Sequence, residues 1–201
     1  LFDCSKNVYA ILTTAVDVTE KVKAEQKRDE LERRFRMLIE ETSVATCLFT
    51  GEDMVVEIAN ENMIKMWGKD RESVIGKPLL EAVPELVGQP FFDILTGILK
   101  TGVPYVAVDE PAVLMVDGVL DTYYFDFTYK PLFDAEGKIY GIMDSAIDVT
   151  EKVRNRKKLE ESERRFRNTV KQLPLGICIL KGADLIVEMA NTTYLHIIDK
   201  E

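Results

Sequence analysis

A single histidine, His196, and three cysteines, Cys4, Cys47 and Cys178, are all that this chain of 201 residues offers for imidazole, thiolate or soft-metal chemistry. His196 has no carboxylate or cysteine at a spacing that suggests a partner, so it reads as an ordinary helix residue. No cysteines form a C-x-x-C pair or a histidine-flanked cluster, and three cannot pair evenly, so neither a disulfide framework nor a metal site is expected. A P-loop, a paired acid/base constellation and a phosphorylatable histidine followed by an acidic residue are also missing. The chain is therefore expected to be non-enzymatic, with no catalytic residue.

Composition narrows the remaining classes. With 46% hydrophobic residues the chain can bury a core, and 26 basic against 35 acidic residues is too mixed for a disordered acidic tail. The net charge of -9 opposes a phosphate backbone, so no nucleic-acid partner is expected. No uncharged run exceeds ten residues, as at residues 7–16 and 42–51, well short of the roughly 18 residues a bilayer span needs, so no membrane contact is expected. Unpaired cysteines suit a reducing cytoplasm. The opening at Leu1, without Met or a leader pattern, reads as a piece of a longer chain.

The chain repeats itself. Residues 1–70 align without a gap onto residues 132–201, at a constant offset of 131 and with more than one position in three identical. Asp17-Val18-Thr19-Glu20-Lys21-Val22 recurs over residues 148–153, and Glu32-Arg33-Arg34-Phe35-Arg36 recurs over residues 163–167. The expected organisation is the tail of a preceding unit (1–18), a linker helix (19–41), a complete unit (42–150), a second linker helix (151–172) and the beginning of a following unit (173–201).

Within the complete unit, apolar runs at residues 45–50 and 54–58 flank Gly51-Glu52-Asp53, a hairpin signal. A short helix over residues 59–67 follows, with Asn60 as its cap. A loop-rich middle leads to a second amphipathic helix over residues 91–100, ended by Thr101-Gly102. Three strands are expected at about residues 104–114, 122–132 and 138–147. In the second of these, Tyr123, Phe125, Phe127 and Tyr129 fall on one face and Tyr124, Asp126, Thr128 and Lys130 on the other. One dry face, covered by the preceding helices, gives an α+β domain.

Both linkers start with an acceptor followed three residues later by glutamate, Asp17-Val18-Thr19-Glu20 and Asp148-Val149-Thr150-Glu151, a capping-box arrangement with Asp in place of Ser or Thr. Positions 24, 28, 31, 35 and 38 form a weak coiled-coil seam interrupted by Arg28, and its second copy is interrupted by Ser162. Residues 151–172 carry nine bases and four acids, whereas residues 42–150 carry seven bases and 18 acids. The basic run reads as a solvated helix face with an acidic neighbour in the same chain.

This order of elements resembles the PAS domain with its C-terminal PAC portion, as found in multi-domain sensory proteins and most often in bacterial histidine kinases. The motifs that carry the resemblance are Ala59-Asn60-Glu61-Asn62, Ile75-Gly76-Lys77-Pro78, residues 137–142 and Asp148-Val149-Thr150-Glu151. It implies a five-stranded antiparallel sheet of order 2-1-5-4-3 with helices on one face, long linker helices, and any ligand cavity between sheet and helices. It implies two function classes: a sensory relay that passes a signal through Asp148, Thr150 and Glu151 (and Asp17 and Thr19 in the first copy) into a linker helix, or a ligandless spacer and dimerisation scaffold. The implied partners are a second copy through the linker helices and the neighbouring PAS and kinase domains of the parent two-component protein.

Family members that bind flavin carry a reactive Cys in the middle helices, and residues 71–100 contain none. They also use polar amides on the last two strands, where Phe125 and Met143 stand here. Haem-binding members use a His in the helical middle, and residues 42–150 contain none. Neither cofactor is expected, which leaves a candidate pocket of Thr46, Leu48, Trp67, Phe125, Phe127, Tyr129 and Met143 for a small apolar ligand or for self-filling. Trp67 reads first as core, Cys47 and Cys178 as small buried hydrophobes, and Asn60 and Asn191 as equivalent helix caps. The strand over residues 8–16 and the one beginning near Ile177 are expected to pair between chains, since the last strand of such a unit lies beside its first.

Overall fold

The computed structural model describes residues 17–198, so the strand expected over residues 8–16 lies outside the described residues. Helix α1 (Thr19–Glu40) leads into strands β1 (Ala45–Thr50) and β2 (Val55–Ala59). Short helices α2 (Glu61–Trp67), α3 (Arg71–Val74) and α4 (Leu79–Ala82), a 3-10 turn at Pro84–Leu86 and helix α5 (Phe91–Thr101) follow. Strands β3 (Tyr105–Val116), β4 (Val119–Phe133) and β5 (Ile139–Asp148) complete the unit. Helix α6 (Thr150–Gln172) then carries the chain to β6 (Cys178–Lys181), β7 (Ile186–Ala190) and α7 (Thr192–Ile197).

The five strands of the complete unit form one antiparallel sheet in the order β2-β1-β5-β4-β3, as the sequence resemblance implied. Among the described residues β6 pairs only with β7. The β3–β4 hairpin turns on Asp117-Gly118, with φ of 52° and 75° at its two central residues. Positive φ at both positions is what a two-residue loop needs to match the twist of the strands, and Asp-Gly is among the few pairs that adopt it without large strain.

The alternation in β4 sets the core. Phe125, Phe127 and Tyr129 are buried beneath α2 to α5, together with Phe49, Met63, Leu79, Leu95, Leu114 and Ile142. Burying such a side chain is worth about 1.5–3 kcal/mol, so this layer dominates the stability of the unit. The opposite face has a smaller apolar cluster, where Ile39 in the last turn of α1 packs on Leu48, Ile58, Leu132 and Met143. Ile39 is the buried residue of α1; Leu31, Phe35 and Leu38 are exposed, as are Leu159 and Phe166 of α6.

The basic start of α6 does find acidic and aromatic neighbours. Arg154 donates to Asp121 at 2.7 Å and to the Thr122 carbonyl at 2.9 Å, Arg156 donates to Asp109 at 2.9 Å, and Lys157 donates to the Tyr124 hydroxyl at 2.7 Å. Asp109 sits at a bulge in β3 with φ of 54°, and its N–H donates to Asp126 at 2.8 Å. The bulge turns Asp109 out of the strand repeat and toward α6.

Helix α2 ends at Gly68, whose φ is 62°, and a Cβ there would come within 2.7 Å of the Met115 carbonyl oxygen and Val116 Cα. Gly88 has φ of 81° but open space around it. In denaturant unfolding, Gly88→Ala should therefore cost about 1 kcal/mol from backbone conformation alone. Gly68→Ala should cost at least about 1 kcal/mol more, because α2 must also move off the hairpin. Equal costs would remove the packing role assigned to Gly68.

Candidate functional site

Between the helices and the sheet lies a cavity of about 40 Å³, lined by Phe49, Met63, Met66, Trp67, Leu79, Leu86, Phe91, Ala112, Leu114, Phe125, Phe127, Tyr129, Asp144 and Ala146. A water needs about 10–15 Å³ measured this way, so the space suits a few heavy atoms. Its walls are largely aromatic: Phe127 lies 4.7 Å from Tyr129 and 5.7 Å from Phe91 between ring centroids, and Phe49 stacks on Trp67 at 6.4 Å.

Trp67, Phe125, Phe127 and Tyr129 line this cavity; Thr46, Leu48 and Met143 do not. Cys47 and Phe49 face the helices, so Thr46 and Leu48, one residue away on β1, face the other side of the sheet. On β5, Ile142, Asp144 and Ala146 face inward, which sends Met143 out to Ile39. A one-residue error on a strand reverses the face completely. The correction matters chemically, because the cavity-facing residue on the last strand is the acid Asp144 and not the apolar Met143.

Asp144 is the polar feature of the cavity. It is 5% exposed and paired in register with Cys47 of β1 and Tyr129 of β4. The Cys47 thiol donates to Asp144 Oδ2 at 3.9 Å, while Asp144 Oδ1 is buried with no hydrogen-bond partner among the described residues. Burial pushes the carboxyl well above its ordinary 3.8, with the thiol hydrogen bond opposing, so the side chain holds its proton. Burial also pushes the Cys47 thiol and the Tyr129 hydroxyl up, with the Asp144 charge adding to both. Each shift favours the protonated, neutral form, and a thiol raised in this way is not poised for oxidation. No group of three or more metal-ligating side chains is present among the described residues.

The exit from the sheet is held by a second set of polar groups. Asp148 Oδ1 accepts the Thr150 N–H at 2.8 Å, and the Thr150 hydroxyl accepts the Tyr124 N–H at 2.9 Å. The capping box itself does not form. The Val149 N–H donates to the Tyr124 carbonyl at 2.8 Å, the cap position falls on Val149, and Glu151 is exposed. The helix therefore starts one residue later than the motif implies, which puts Glu151 at the second helical position, where it cannot close the reciprocal pair. The first copy repeats the turn, since Asp17 Oδ1 accepts the Thr19 N–H at 2.9 Å, and the Thr19 side chain first and its N–H second lower the Asp17 carboxyl below its usual value.

Asn60 does more than cap α2. Its Oδ1 accepts the Met63 and Thr46 N–H groups at 3.0 Å, and its Nδ2 donates to the carbonyls of Val44 at 2.8 Å, Thr42 at 3.1 Å and Ile39 at 3.2 Å. Asn191 repeats this: Oδ1 accepts from Ile177 and Tyr194, and Nδ2 donates to Val170 and Leu175. Sequence spacing identified both as caps but carried no sign that each also ties the preceding long helix to the first strand.

The groups facing Asp144 are Cys47 from β1 and Tyr129 from β4, and the helices contribute only apolar side chains to the cavity wall. The unfolded chain releases the Asp144 proton near 3.8 while the folded chain keeps it. The folded state thus binds more protons above pH 3.8, and stability falls as pH rises by up to about 1.4 kcal/mol per unit. Asp144→Asn removes this titration. Its stability relative to the parent protein should improve as pH rises above 3.8 in denaturant unfolding, and a pH-independent difference would show that Asp144 is already ionised when folded.

A family model described as the PAS fold matches residues 39–154, more than half of the chain. Among solved structures, an RNA-binding light-oxygen-voltage receptor aligns with a TM-score of 0.52 at 14% identity, over 79% of this chain and 42% of that one. The PAS domain of Bordetella pertussis BvgS aligns at 0.49 and 23% identity, over 68% of this chain and 98% of its own. The PAS domain of histidine kinase ThkA aligns at 0.42 and 15% identity, over 52% and 98%. No described helix is long and apolar enough to cross a membrane. From residue 39 through the first turn of α6, the chain belongs to the PAS family.

Proposed function

We propose that the complete unit is a sensory relay, in which occupancy of the cavity changes the position or order of α6. The observation that carries this reading is the hydrogen bond from the Tyr124 N–H to Thr150 at the start of α6. Tyr124 is the immediate neighbour of Phe125, which forms the cavity wall. On a strand the two point to opposite faces, so one backbone segment serves the cavity on one side and the helix on the other. The unit binds and transmits without catalysis, and α6 passes the change toward the following unit and, in the parent chain, toward a histidine kinase.

The exposed Leu31, Phe35 and Leu38 of α1, and Leu159 and Phe166 of α6, support a parallel association of two copies through these helices. Light scattering should show a dimer that dissociates in the micromolar range, and a strict monomer at high concentration would count against the pairing.

The relay itself is tested by hydrogen exchange at the amides of residues 150–154. Ala112→Leu fills the cavity from β3, at a side chain that makes no hydrogen bond to α6 and lies opposite Tyr123 in the strand register, and should change protection in that first turn. Asp148→Ala should cost about 1 kcal/mol and raise exchange in the same turn. If filling the cavity leaves these amides unchanged in a folded protein, the unit is a spacer and not a sensor.

A further inference from the structure

The chemistry of the cavity wall says what kind of molecule it suits. Asp144 Oδ2 already accepts from the Cys47 thiol, which leaves Oδ1 buried without a hydrogen-bond partner among the described residues, in a wall that is otherwise aromatic and aliphatic apart from the Tyr129 hydroxyl. In a protonated carboxyl the carbonyl oxygen is the better acceptor, so the oxygen that takes the thiol hydrogen is the carbonyl and Oδ1 carries the hydroxyl, a donor. A buried polar atom without a partner costs about 1–3 kcal/mol, and a ligand that satisfies it recovers that cost.

We propose that the cavity binds a small, neutral, planar molecule carrying one hydrogen-bond acceptor, a carbonyl oxygen or an unprotonated ring nitrogen, which receives the hydroxyl proton of Asp144. This rests on the reading of the cavity as the sensory site and adds the class of ligand. An anion meets no Lys, Arg or His in the cavity wall and would be buried without a counter-charge. A cation would have to displace the Asp144 proton and bury an ion pair with only a thiol for further support. A purely apolar molecule fits the walls but leaves Oδ1 unsatisfied. The facing rings of Phe49, Trp67, Phe91 and Phe127 favour a flat body, and the flexible Met63 and Met66 can adjust to its edge.

Three probes of similar size, each larger than the free space and entering only as Met63 and Met66 move aside, separate these cases: acetophenone (neutral acceptor), ethylbenzene (apolar) and benzoate (anion). With the full chain, NMR titration should show acetophenone binding several-fold tighter than ethylbenzene and at least tenfold tighter than benzoate. The bound ketone should show a carbonyl stretch shifted to lower frequency. Asp144→Leu should abolish both that shift and the preference over ethylbenzene. Asp144→Asn, which keeps a donor, should retain part of both, so a misfolded leucine variant would not decide the matter alone. Binding of benzoate as tight as acetophenone, an acetophenone preference that survives Asp144→Leu, or no binding of any probe would overturn the proposal. Native mass spectrometry and the Ala112→Leu exchange experiment judge the sensory reading separately. A retained anionic molecule together with an effect on α6 would sustain the sensory reading while this inference fell.

Discussion

The fully buried side chain of Asn60 is the constraint on which the arrangement of this unit depends. A side-chain amide has two donors and an acceptor with two lone pairs, and Asn60 uses all of them on backbone groups from four segments: the end of α1, the α1–β1 loop, β1 and the first turn of α2. Losing it would strand several buried backbone groups at about 1–3 kcal/mol each, more than a surface cap is worth. Because nearly every partner is main chain, the same clamp can recur where the surrounding side chains differ. At Asn191 it does: Val170, Leu175, Ile177 and Tyr194 stand 131 residues after Ile39, Val44, Thr46 and Met63, and none of those four pairs is identical.

The clamp also accounts for how two long, mostly exposed helices are attached to the unit. Neither α1 nor α6 has a large apolar face against the sheet; α1 buries Ile39, and α6 buries Thr150, Val153 and Val170. Their i,i+4 ion pairs, such as Glu32–Arg36 and Glu161–Arg165, contribute only about 0.2–0.5 kcal/mol each. Attachment is therefore concentrated at the helix ends. Helix α6 is fixed at its start by Thr150, Asp148 and the contacts of Arg154, Arg156 and Lys157, and near its end by the Asn191 clamp on Val170. A helix of 23 residues, roughly 35 Å long, held at both ends transmits displacement better than one held along a soft face.

Much of this was legible in the sequence because the local signals agree with the tertiary answer. The alternation from Tyr123 to Tyr129, the Asp117-Gly118 turn and Asn60 before an apolar helical pattern are each decided by nearest neighbours in the chain. What failed needed strand register. Nothing local distinguishes Met143 from Asp144 as the inward residue on β5, and hydrophobicity favours the wrong one, since burying an acid is the exception. Thr46 and Leu48 went wrong for the same reason on β1. The capping box failed because the helix starts one residue later than the motif implies, with Val149 held by the Tyr124 carbonyl of a strand more than twenty residues earlier, which no local motif encodes. The bulge at Asp109 has no glycine to announce it.

The misplaced acid is also where the structure departs from a purely stabilising design. A leucine at position 144 would suit the surrounding aromatic core, whereas Asp144 holds a proton against its ordinary tendency and leaves one oxygen unpaired. Around it the interior is close-packed, with about 40 Å³ of free space, so a molecule of more than a few heavy atoms cannot be absorbed by slack. The strain must move something, and the walls that can move are strands. Cys47 faces Asp144 from β1, and its neighbour Thr46 gives its N–H to the Asn60 clamp on α1. Phe125 faces the cavity from β4, and its neighbour Tyr124 gives its N–H to Thr150 of α6. Each long helix is thus tied to the backbone one residue from a core side chain, so the alternation that built the dry face also sets the shortest mechanical path out of it.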